Sequence, residues 1–225
     1  MLSAAWSDLT CSLRPSRPGS VPLSLAILLT FSLSSLSDGV AGSLSSGLHH
    51  ARYSNGAGFC TFNGLVVAAE SLHQAGIENV LILDLDAHFG GGTDALTVGR
   101  RYIHHIDISV NRFDMYPISP ISISLRSFRI ASLLTDANAY LKTIEVSLKK
   151  AADSGITFGA CLYNAGMDPH EDCLTGGIPG ITSDMLCRRD QLVFDWCRKQ
   201  GIPVVFVLAG GYTGPNMTQE KRSEE

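Results

Sequence analysis

Asp84, Asp86 and His88 stand two residues apart in the stretch VLILDLDAHFGGGT (80–93). Alternate side chains of an extended strand share a face, so this spacing predicts two carboxylates and one imidazole on the same side. Buried carboxylates are costly unless they are paired or bound to a cation. Two carboxylates and an imidazole with an open position suit a catalytic divalent metal such as zinc. The plainer reading is a satisfied polar strand end. Asp86 and His88 can both reach one ion, and Asp168, at the end of CLYNAGMD (161–168), can close the set from a neighbouring strand. Asp84 lies one step deeper, where it would orient a ligand or hold a further cation.

His49 and His50, in GLHHARYSNGAGFCTFNG (47–64), offer acid and base chemistry, because histidine changes charge near neutral pH. A tandem pair is also a common loop feature. A second pair, His104-His105, sits mid-strand with no glycine around it and reads as structural. Tyr212 follows two glycines at a strand end, where its hydroxyl could donate to a developing oxyanion or simply pack. Glycines 90–92 let the backbone turn sharply beside the aspartates.

These residues need elements to position them. Helical spacing over 61–76, with a stop at Gly76, predicts a helix, as do 135–155, capped by Thr135 or Asp136, and 182–201. Apolar runs predict strands at 78–86, 102–110, 156–166 and 202–211. Residues 117–134 read as a loop or an edge strand. Apolar strands alternating with helices imply an α/β fold, a mostly parallel open sheet with helices on both faces. Ligands bind such sheets beyond the carboxyl ends of the strands, and parallel pairing brings Asp86, His88, Asp168 and Tyr212 to one rim.

The 225 residues are 45% hydrophobic and 17% charged with a net charge of -4, enough apolar material for one cored domain and no basic track for nucleic acid. Six cysteines without a C-x-x-C pair read as buried reduced thiols in a reducing compartment, cytoplasmic, or nuclear in a eukaryote. Residues 1–46 form an atypical Ser/Leu-rich segment. Its stretch 21–37 loosely copies a secretory signal but is too short and serine-rich for a membrane span. The division expected is therefore 1–46 and a regularly patterned unit over 47–225.

Together GLHHA, GFCTFN, VLILDLDAHFGGGT, CLYNAGMD with GGI, and LAGGY resemble the zinc-dependent histone deacetylase superfamily, which includes acetylpolyamine amidohydrolases. They stand in the family's order, and DLDAH and YNAGMD are closest to its class IV and bacterial branches. The resemblance implies an arginase/deacetylase-like fold, incomplete at both ends, and removal of acetyl groups from acetylated protein lysine or acetylated small amines. It implies zinc on Asp86, His88 and Asp168, tandem catalytic histidines at His49 and His50, Asp84 as the partner of His49, and Tyr212 as the group polarising the carbonyl. Phe59 and Tyr116 resemble walls of an acyl-lysine tunnel, and Asp84 with Ser109 resembles a monovalent-cation site. Two positions depart from the pattern. Phe89 replaces a histidine, and the carboxylate or amide that would support His50 falls at Gly91, which has no side chain. The rival readings are a truncated, non-catalytic remnant of the family, prone to oligomerise or aggregate, and a ureohydrolase-like metal enzyme.

Overall fold

The computed structural model describes residues 35–36, 38–117 and 127–212. Six strands form one sheet: β1 (Val40–Ser43), β2 (Val80–Asp84), β3 (Ile103–Ser109), β4 (Arg129–Leu133), β5 (Ala160–Gly166) and β6 (Val204–Ala209). The α-helices between them, among the described residues, are α1 (Gly64–Gln74), α2 (Gly91–Thr97), α3 (Tyr140–Ala152) and α4 (Ser183–Gln200). The spatial order is β1-β6-β5-β2-β3-β4, and every pairing is parallel. β2 and β3 step one way across the sheet, whereas β5 and β6 lie on the other side of β2. The order reverses between β2 and β5, where a crevice opens beyond the strand ends.

Local sequence accounts for the elements. All five residues of β2, VLILD, are buried, as a strand covered on both faces requires. Leu81 and Leu83 join the core beneath α3 and α4, together with Ile106, Ile108, Ile144, Leu148 and Val193. Val80 and Ile82 point the other way, into a core with Leu65, Val66 and Leu72 of α1. Burying each such leucine contributes about 1.5–3 kcal/mol. Asn63 caps α1 by accepting from the Val66 backbone N–H, and Thr182 caps α4 by accepting from that of Met185. Gly201 ends α4 at φ 66°, a left-handed turn that glycine adopts without penalty.

The sheet has two strands more than the four read from the sequence. β4 resolves the loop-or-edge choice within 117–134 in favour of an edge strand at 129–133; residues 118–126 lie outside the described set. β1 was not read from the sequence. Val40–Ser43 lie within the atypical segment 1–46 and pair in parallel with β6 from Val204 to Val207. Four small or β-branched residues carry too short a pattern to announce a strand; the neighbouring β6 edge supplies the partner. The stretch 21–37 lies almost wholly outside the described residues. Among the described residues no helix is long and apolar enough to cross a membrane.

Candidate active site

Parallel register builds the floor of the site. Asp84, the last residue of β2, stands level with Asn164 on β5 and Asp107 on β3, a polar row across three adjacent strands. All three side chains are buried. β2 stops here, so Asp86 and His88 do not continue its alternation as the spacing suggested. They lie on a bend, where the His88 backbone N–H donates to Asp86 Oδ1 at 2.9 Å and the chain folds back over its own carboxylate.

That bend meets the end of β5. His88 Nδ1 lies 3.1 Å from Asp86 Oδ1 and 3.0 Å from Asp168 Oδ2. One ligand atom from each of Asp86, His88 and Asp168 falls within 4.8 Å of the others, and all three residues are buried. Asp168 Oδ1 accepts from the Ala87 backbone N–H at 2.9 Å, whereas Oδ2 has no well-aligned hydrogen-bond donor despite its burial. An inward, under-satisfied carboxylate oxygen beside a second carboxylate and an imidazole nitrogen is a donor set that fits a divalent cation. The electrostatics agree. Burial and the neighbouring Asp86 charge push Asp168 up to about 6. Burial opposes the His88 imidazolium, but Asp168 and Asp86 outweigh it and raise it to about 9. Burial would likewise raise Asp86, yet His49 and His88 bring it down to about 2. Two buried carboxylates side by side favour a positive charge between them, the charge a divalent cation would bring. Among the described residues this is the one such cluster, whereas the ureohydrolase alternative calls for two metals.

The tandem histidines stand beside it. His49 Nδ1 is 2.7 Å from Asp84 Oδ2, and its Nε2 is 3.6 Å from Asp86 Oδ1. Asn164 Nδ2 donates to Asp84 Oδ1 at 2.8 Å and fixes that carboxylate in turn. His50 Nδ1 is 2.9 Å from Asp114 Oδ2. The two Nε2 atoms are 3.1 Å apart. Each Nδ1 faces an acceptor-only carboxylate, so each carries its proton there, and the Nε2 pair must share a further one. Burial works against a charged His49, but Asp84 and Asp86 prevail and raise it well above its ordinary value. Asn63 anchors the pair from below, its side-chain amide donating to the His49 and Ala51 carbonyls.

Tyr212 follows β6 beyond Gly210 and Gly211. Gly210 sits at φ 60°, and a Cβ there would come within 2.2 Å of the Asp168 carboxyl carbon, so only glycine lets the chain pass this close. The Tyr212 ring centroid is 6.2 Å from that of Phe59. Burial, with Asp86 and Asp168 nearby, pushes its phenol up to about 12, so it remains a donor. Phe59 is 88% exposed at φ 63°, a rim position. Tyr116 is placed elsewhere: its ring packs edge-on to Phe89 and its hydroxyl donates to Asp107 at 2.9 Å. The ring that meets the histidines is Phe113, with centroids 5.0 Å from His50 and 5.8 Å from His88. Ser109 Oγ donates to Asp107 Oδ1 at 2.7 Å.

Sequence reasoning missed Asp107, Phe113, Asp114 and Asn164. Asp107 carried a weaker form of the signal at Asp84, a single aspartate in an apolar strand without a second carboxylate two residues on. The other three carried none, because their partners are far away in the chain.

Comparison with known proteins bears on the family and the fold. The family model described as a histone deacetylase domain matches residues 30–223. An uncharacterized protein of Picosynechococcus sp. is 33% identical over 181 residues, covering 79% of this chain and 57% of that protein. Histone deacetylase 2 of Arabidopsis thaliana is 31% identical over 186 residues, covering 77% and 44%. The chain thus spans about half the length of these curated relatives. The crystal structure of an acetylpolyamine aminohydrolase from Burkholderia pseudomallei superposes with a TM-score of 0.70 at 23% identity, covering 84% of this chain and 56% of that one. That of a histone deacetylase homologue complexed with SAHA gives 0.70 at 21% identity, covering 84% and 52%. The shared fold, the ordered motifs and the family match over most of the chain lead to one assignment: this chain belongs to the histone deacetylase domain family.

Proposed function

We propose that the chain houses a zinc-dependent amidohydrolase centre that removes acetyl groups from acetylated lysine or acetylated small amines. The observation that carries this reading is the junction of two units on one rim: the Asp86–His88–Asp168 cluster and the carboxylate-backed His49–His50 pair, joined at 3.6 Å between His49 Nε2 and Asp86 Oδ1. Asp86, His88 and Asp168 would hold the zinc ion, which when bound would supply positive charge to polarise an amide carbonyl and acidify a water.

The chain's own residues do the rest. The Tyr212 hydroxyl donates a hydrogen bond to the carbonyl oxygen as negative charge develops there. With each Nδ1 proton held by its carboxylate, the Nε2 of one histidine takes a proton from the attacking water and the pair gives a proton to the leaving amine. Asp84 and Asp114 keep both rings in the orientation that presents Nε2. Phe59 and Phe113 offer flat apolar walls to an extended methylene chain between rim and site. A monovalent cation near Asp84 and Ser109 belongs to the same proposal. Its support is the buried pair Asp84 and Asp107, where burial and the Asp84 charge push Asp107 up to about 7.

The test is a fluorogenic acetyl-lysine peptide and an acetylated diamine, each assayed with the full chain before and after zinc is added to metal-stripped protein. Zinc-dependent release of acetate from either supports the reading. Folded, zinc-loaded protein without activity on both contradicts it.

A further inference from the structure

The loop after β3 brings a carboxylate to His50 from 64 residues away. Asp114 adopts φ 58°, and with Leu48 (φ 55°) and Phe59 (φ 63°) it is one of three described non-glycine residues on the left-handed side, all flanking the histidine pair. Such conformations cost free energy and persist where the surroundings enforce them. Here the enforcement is visible. Asp114 Oδ2 lies 2.9 Å from His50 Nδ1, while Oδ1 receives the Arg52 guanidinium, and the carboxylate side chain is only 7% exposed.

The space for this arrangement comes from Gly91. A Cβ at that position would stand 2.4 Å from the Asp114 carbonyl oxygen, 2.6 Å from Oδ1 and 2.7 Å from an Arg52 nitrogen. Three separate segments therefore converge on one imidazole: the turn that opens α2 yields room, the loop after β3 fills it, and Arg52, two residues beyond the histidine, locks it. Burial alone would raise the Asp114 carboxyl, but the hydrogen bonds from His50 and Arg52 hold it below its ordinary range.

We propose that Asp114, braced by Arg52 and admitted by Gly91, is the positioning residue that fixes the tautomer and ring orientation of His50. An ionised carboxylate only accepts, so the His50 proton stays on Nδ1 and Nε2 faces His49. Arg52 occupies the second oxygen and keeps the carboxylate from rotating away. The assignment itself stands on geometry; its kinetic consequence rests on the deacetylase reading.

Nitrogen-15 ring correlations of histidine in the labelled full chain report which nitrogen of His50 carries the proton. The wild type is expected to show Nδ1–H at His50. Asp114→Ala is expected to abolish or mix that signature while His49 keeps its own. Asp114→Asn, which retains an accepting oxygen, is expected to preserve it. In turnover, Asp114→Ala should lower kcat by about 10- to 100-fold, part of the usual worth of a positioned acid–base group. KM should stay within about twofold and zinc content should not change, a pattern that general loss of structure would not give. An unprotonated Nδ1 in the wild type, or an unchanged His50 spectrum in Asp114→Ala, overturns the proposal. If Asp114→Ala does not fold, Arg52→Gln decides: faster exchange of the His50 Nδ1 proton supports the brace, and unchanged exchange refutes it. Intact His50 signatures in a zinc-loaded but inactive wild type would sink the functional reading and leave this one standing.

Discussion

Two adjacent-histidine pairs lie buried in this molecule, and they have opposite electrostatics. His49 and His50 sit on a turn before α1, with a carboxylate at each Nδ1. His104 and His105 sit inside β3, where alternation sends them to opposite faces. His104 accepts from the Phe128 backbone N–H through Nδ1 at 2.9 Å and contacts Asn79 Oδ1 through Nε2 at 3.1 Å; neither partner carries a charge. His105 leaves Nε2 buried without a partner. Burial, with Arg129 adding to it, lowers His104 to about 4, and burial brings His105 to about 4 as well. The same desolvation acts on His49, but Asp84 and Asp86 reverse it. Burial therefore does not decide whether a histidine pair can do proton chemistry. The carboxylates within hydrogen-bond reach decide it, and in a parallel sheet those collect beyond the strand ends.

The comparison breaks first on activity. His49→Ala should lower kcat by about 1,000-fold, within the range for removing a positioned acid–base group, whereas His105→Phe should leave it within about twofold. Comparable losses in both variants, measured at equal zinc content, would erase the distinction. Tyr212→Phe probes the far wall of the same site. Deleting one hydroxyl and keeping the ring should cost about 100-fold in kcat with zinc content retained. Unchanged turnover would mean that Tyr212 only packs.

The smallest effect concerns acid stability. His104 and His105 have folded values below the unfolded value, so the unfolded chain binds more protons between about pH 6.5 and 4. Their contribution is a loss of stability as pH falls through that window. His105→Phe removes one such group and its orphaned nitrogen. Its Tm should fall less than that of the wild type between pH 7 and 5, by a few degrees. His49 works in the opposite sense, because its raised value stabilises the fold below about pH 6.5 and that stability fades as pH rises through the folded value. A His105→Phe melt that tracks the wild type at both pH values would remove the neutral buried pair from the account.

The pairing rules above also mark what the chain reveals on reading. The two histidine pairs could be told apart in sequence, because glycines and aromatic residues surround one and isoleucines the other. Asp84, Asp86, His88 and Asp168 were legible for the same reason, as charges in apolar runs whose strand ends must share a rim. Asp114 was not. It is an ordinary polar residue in NRFDMY, and its role depends on the missing side chain of Gly91 and on Arg52 from another segment. Phe113 rather than Tyr116 meets the histidines, because Tyr116 turns instead onto Phe89 and hydrogen-bonds Asp107. Nor did GGTDALT read as helix α2, since glycine is a poor helix former; its first two residues and Thr93 are buried against the histidine turn, which supplies the packing that propensity lacks. β1 was hidden by brevity, four residues whose strand partner among the described residues is β6.

The central claim is that Asp86, His88 and Asp168 form one metal centre beside the His49–His50 pair. Elemental analysis tests it most directly, on the full chain and on Asp168→Ala, each loaded with zinc and then desalted. The account expects close to one zinc per chain in the wild type and most of it gone in Asp168→Ala, with the thermal melt of the variant still cooperative. Equal zinc in the two proteins, or none in the folded wild type, would contradict it.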